Sequence, residues 1–83
     1  MKENIRFKKS VFKDLDGIHP KHRKQILDDL EVGTCYNTNK VKALKGEYKG
    51  LFRIEIGDYR VIFTKIGDGV LILRIAHRKE VYR

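Results

Sequence analysis

Apolar positions along the chain follow two periods, and the change falls after Lys45-Gly46. On the N-terminal side the spacing is helical. Val11, Phe12 and Leu15 gather on one side of a short helix that Ser10 can cap and Gly17 can end. Proline favours the first helical position, so His19-Pro20 predicts the start of a second helix, with Ile26, Leu27 and Leu30 as its buried stripe and Gly33 as its stop. "NIRF", residues 4–7, predicts a short strand ahead of both helices, and "TCYNTNK" a polar loop after them. Beyond Gly46, "LFRIEIGDYRVIFTKIGDGVLILRIAHR" predicts three strands joined by turns at Gly57-Asp58 and Gly67-Asp68-Gly69. The expected fold class is α+β: a short N-terminal strand, two helices, then a three-stranded antiparallel meander, with the helices packed on one sheet face. The 83 residues leave room for a single domain, 1–83.

The turns also predict a register. A two-residue loop at Gly57-Asp58 pairs Ile56 with Tyr59, Glu55 with Arg60, Ile54 with Val61 and Arg53 with Ile62. Phe52, Ile54, Ile56, Tyr59, Val61 and Phe63 then share the core face. A three-residue loop at Gly67–Gly69 pairs Ile66 with Val70, which sets Ile62 opposite Arg74 and Arg60 opposite Ala76. This count turns Leu71, Leu73, Ile75 and His77 toward the helices and leaves Leu51, Ile62 and Ile72 on the other face. A bulge would shift the second register. Arg53, Arg60, Arg74 and Arg78 are thus expected on one uncovered face with a single carboxylate, Glu55.

Charge adds to this picture. The net charge is +8; residues 1–39 hold eight Lys/Arg against six Asp/Glu, and residues 40–83 hold eleven against five. A polyanion would therefore be met by the C-terminal half. Surface lysines on a soluble domain are the simpler account of the total, though not of a shared strand parity. No stretch reaches the length of about 20 apolar residues that a membrane span requires, and "MKENIRFKKS" has no apolar signal core. Cys35 is the only cysteine, so neither a disulfide framework nor a Cys-based metal site is expected, and a reducing, cytoplasmic setting is. The pattern contains no paired carboxylates at ligand spacing, no P-loop and no dinucleotide glycines, so no cofactor is expected and any catalysis would be metal-free.

Clustered guanidinium groups suit phosphodiester chemistry. Their donor forks fit non-bridging oxygens, and cations held on a rigid sheet stabilise the charge that builds on a phosphate in the transition state. Tyr82 can stack on a nucleobase. His77 is the histidine nearest the cluster and a candidate acid or base, although its parity points inward, where a packed histidine is the simpler reading. His19 and His22 read as a cap and a surface residue.

"LKGEYKGLFRIEIGDYRVIF" followed by "ILRIAHRKEVY" resembles the RelE/ParE toxin superfamily in its RelE branch. The resemblance covers nearly the whole chain, through a K-x-L-x-G approach, the G-D-Y-R-V-I-F strand and the H-R-x-x-V-Y ending. It implies a toxin of a type II toxin–antitoxin pair that enters the ribosomal A site and cleaves mRNA there by attack of a ribose 2′-hydroxyl on the adjacent phosphate. It places the transition-state arginine on Arg60, the arginine assisting the leaving group on Arg78, the substrate-orienting tyrosine on Tyr82 and a family lysine on Arg53. Arg74, Lys45 and Lys79 complete the expected substrate-binding set. Where some members carry a second lysine this chain has Glu55, and other branches use a glutamate with a histidine, so the comparison offers Glu55 as base and His77 as acid as one assignment and leaves open which residue moves which proton. The implied partners are a cognate antitoxin, the ribosome and mRNA, with no membrane. A ParE-like gyrase inhibitor and a nonenzymatic RNA-binding module are the alternatives. The former branch generally lacks this Arg/Tyr set.

Overall fold

A computed structural model describes residues 4–32 and 41–79. Gly33, the loop at 34–40 with Cys35, and Tyr82 lie outside the described residues. The elements in chain order are β1 (Asn4–Phe7), α1 (Val11–Asp16), α2 (Pro20–Val32), β2 (Lys42–Ala43), a 3-10 turn (Gly46–Tyr48), β3 (Leu51–Ile56), β4 (Tyr59–Ile66) and β5 (Gly69–His77). They form the expected α+β layout, but the sheet has five strands rather than three, in the order β1-β5-β4-β3-β2. β1 joins one edge parallel to β5, and the short β2 joins the other antiparallel to β3. Among the described residues no helix is long and apolar enough to cross a membrane.

Both helices cover one sheet face. Val11, Leu15 and Ile18 from the α1 region and Ile26 and Leu30 from α2 are buried against Ile54, Ile56, Val61, Phe63, Val70, Ile72 and Ile75. Burying each such side chain contributes about 1.5–3 kcal/mol. Packing of this size holds α1, because six residues are too few for a helix to persist alone. Ser10 occupies its N-cap position, yet its side chain makes no capping hydrogen bond. Nor does Phe12 join the buried side: it is 56% exposed and tilts against Phe7, with ring centroids 6.2 Å apart. α2 opens as expected at Pro20, where the Lys21 N–H donates to His19 Nδ1 at 3.1 Å.

The β3–β4 register agrees with the expected pairs throughout, from Ile56↔Tyr59 to Arg53↔Ile62. The second turn differs. Ile66 pairs with Gly69, so only Gly67 and Asp68 form the loop. Gly69 lies instead within β5, where a Cβ would run into the carbonyl oxygen and the side chain of Asn4. It is a glycine because β1 passes so close. The shorter turn leaves one residue over in β5, and a bulge absorbs it between the Phe63↔Ile72 and Ile62↔Arg74 pairs. Val70 and Ile72 therefore face the helices before the bulge, and Leu71 and Leu73 do not; Ile72 leaves the open face for the core. After the bulge the expected pairs Ile62↔Arg74 and Arg60↔Ala76 are restored.

Candidate active site

The open face is built in rows across the strands. Lys42, Arg53, Ile62 and Arg74 are register neighbours in one row, and Glu55, Arg60 and Ala76 form the next toward the Gly57-Asp58 turn. Adjacent strands lie about 4.8 Å apart, so these groups stand within side-chain reach of one another. Ile62 is buried at 8% exposure without belonging to the helical core. The row thus consists of three cationic side chains around one shielded apolar residue. Arg53 is half-buried and its Nε is screened from solvent, whereas Arg74 is exposed.

Arg60 directs Nε (3.2 Å) and Nη2 (3.1 Å) at the same Glu55 oxygen, Oε1. The pair is the cross-strand contact that the register demands, with side chains 21% and 52% exposed. Ion pairs this accessible to water contribute about 0.2–1 kcal/mol, so stability alone is a weak reason for the pair. Arg78 follows the last paired residue of β5, and its backbone N–H donates to the Asp58 carbonyl at 2.9 Å. That bond continues the ladder one step and keeps Arg78 at the turn end of the arginine face. Lys79 is exposed beside it. Lys45 precedes the 3-10 turn in extended conformation and is also exposed.

His77 is not brought to this group. It pairs with Tyr59, and the two rings meet edge to face at 5.6 Å on the helix side, where His22 of α2 lies 5.9 Å from Tyr59. His77 Nδ1 accepts the Lys79 N–H at 3.2 Å, which leaves Nε2 to carry the proton of the neutral ring. Glu55 and His77 thus occupy opposite sheet faces, and no acid–base pair forms between them. Sequence reasoning also missed Lys42. It stands next to Arg53 because β2 adds to the β3 edge, and its one available signal was the alternation in "VKALK" after the polar loop. Among the described residues no group of three or more His, Cys, Asp or Glu side chains could hold a metal ion.

Residues 5–82 match the family model described as the ParE toxin of the type II toxin–antitoxin system, parDE. Toxin RelE3 of Methanocaldococcus jannaschii is 33% identical over 85 residues, spanning 94% of this chain and 93% of that protein. In the toxin–antitoxin complex RelBE2 from Mycobacterium tuberculosis, a chain superposes with a TM-score of 0.79 at 25% identity, covering 94% of this chain and 100% of that one. The RelB–RelE antitoxin–toxin complex from Methanococcus jannaschii gives 0.70 at 32% identity, over 93% and 94% of the two chains. Matched along nearly its whole length in sequence and in shape, the chain belongs to the RelE/ParE superfamily of toxins from type II toxin–antitoxin systems.

Proposed function

We propose that this toxin is a ribosome-dependent endoribonuclease that cleaves mRNA in the A site. The observation that carries the reading is the grouping of Arg53, Arg60 and Arg74 on an open sheet face with Glu55 against Arg60. A ribose 2′-oxygen attacks the adjacent phosphorus, the P–O5′ bond breaks, and a cyclic phosphate and a free 5′-hydroxyl result. Glu55 is the described carboxylate on this face that can take the 2′-hydroxyl proton. Arg60 meets the charge growing on the non-bridging oxygens, and Arg78, at the turn end, donates hydrogen bonds to the departing 5′-oxygen, which takes its proton from water. Arg53, Arg74, Lys42, Lys45 and Lys79 hold the strand through its phosphates. The C-terminal Tyr82 is assigned to stacking by family resemblance. His77 receives no proton transfer, since its ring lies on the helix side.

The related toxins seen in complex with RelB support a cognate antitoxin for this chain as well. An acidic or amphipathic segment suits its basic surface. A second reading takes its support from the ParE description of the family model: a gyrase inhibitor that cleaves no RNA. Primer extension on ribosome-bound message separates the two. Cuts inside the A-site codon are expected, and uncut message beside poisoned gyrase would replace the first reading with the second.

A further inference from the structure

The far end of β5 carries a feature that the proposed reaction does not use. β1 accompanies β5 only as far as Ile72, where the Lys8 N–H donates to the Ile72 carbonyl at 2.9 Å. Past that point α1 runs beside the strand edge, and Asp14 Oδ2 accepts the Ile75 N–H at 3.1 Å. Helix and strand flank an open cleft of about 420 Å³, within the range of about 300–1,000 Å³ typical of small-ligand sites. Lys13 and Asp14 line it from α1, Arg74 and His77 from β5, and Tyr59 from β4. Ala76, the register partner of Arg60, lines it too. The cleft therefore adjoins the arginine face around the β5 edge and shares Arg74 and Ala76 with it.

The lining is mixed in a way that suits a nucleotide. Lys13 and Arg74 supply positive charge for a phosphate. Asp14 has a second oxygen, Oδ1, that can accept from a ribose hydroxyl or an exocyclic amine. Tyr59 and His77 offer ring surface to a base. An added peptide strand suits the site less well, because Asp14 already takes the Ile75 N–H on which strand pairing would depend. We propose that this cleft is a subsite for one nucleotide of the RNA strand flanking the scissile linkage, an inference that rests on the ribonuclease reading.

The test titrates the full chain with a short 2′-O-methyl single-stranded RNA at low salt, followed by backbone amide shifts and by fluorescence anisotropy. Amides of Asp14 and His77 are expected to shift along with those of Arg53 and Arg60. Lys13→Gln should reduce the slope of log K against log salt by about 0.7, the loss of one phosphate contact on a single strand. Its amide spectrum away from α1 should remain that of the wild type. Silent Asp14 and His77 amides, or an unchanged slope in Lys13→Gln, overturn the subsite. Shifts there with antitoxin peptide but not with RNA would make the cleft a protein-docking site and also overturn it. Failure of the ribonuclease reading shows separately, as uncut message in the primer-extension experiment.

Discussion

Arg60 reaches Glu55 through two of its nitrogens and is itself only 21% exposed, so its guanidinium is already oriented before any substrate arrives. Orientation of that kind favours charge stabilisation, because no rearrangement is needed as the phosphate gains charge. Arg60→Ala is therefore expected to reduce cleavage at least about tenfold, a change of roughly 1.4 kcal/mol in barrier. Its melting temperature should move by no more than about 8 °C, since an exposed pair contributes under about 1 kcal/mol. Single-turnover cleavage and a thermal melt read the two effects independently, and wild-type cleavage by the variant would remove Arg60 from the mechanism. Glu55→Gln keeps a hydrogen-bond acceptor for Arg60 and removes the proposed base. A steep fall in rate with an altered pH–rate profile is expected; a small fall with the wild-type profile would mean that Glu55 only orients Arg60.

At the scale of elements, the bulge in β5 is the decisive irregularity. It lets Val70 and Ile72 enter the core and still returns Arg74 to the row of Arg53. From sequence, the Gly57-Asp58 hairpin could be read residue by residue because a two-residue loop fixes pairing and parity together. The Gly67–Gly69 segment could not. Gly69 looks like a turn glycine, and only the approach of β1, more than sixty residues away in the chain, explains it. Two compensating departures, a shorter turn and an extra strand residue, left the arginine pairing as counted but exchanged the core and surface roles of Leu71, Ile72 and Leu73. β2 escaped notice for a similar reason: at two residues its pattern is too short to register, so Lys42 went unassigned. Likewise, the edge of β5 beyond Ile72 depends on a side chain rather than on a strand. Asp14→Ala should cost about 1–3 kcal/mol by leaving the part-buried Ile75 N–H unsatisfied. Asp14→Asn retains an acceptor and should unfold in urea close to the wild-type midpoint.

Over the whole molecule, helices and cations divide the sheet between them. The apolar residues of β3, β4 and β5 that face the helices hold the fold together, and Arg53, Arg60 and Arg74 face away; Lys65 keeps to the other side, its Nζ 5.3 Å over the Phe52 ring. With a net charge of +8 the free protein repels itself, and an acidic partner relieves that repulsion. An acidic antitoxin is accordingly expected to raise the melting temperature by more than its contact with an uncharged surface would. The increment should shrink as salt is added; an increment indifferent to salt would point to an apolar docking surface, for which exposed Phe12, Tyr48 and Ile66 are candidate anchors.

The bond from the Arg78 amide to the Asp58 carbonyl involves only main-chain atoms. Any side chain but proline's at position 78 would hang from the same spot beside the Gly57-Asp58 turn. Where that group sits is thus inherited from the fold, and what it does there is left to the side chain alone. Such an arrangement lets the chemistry at one end of the face be exchanged, one residue at a time, without rebuilding the scaffold beneath it.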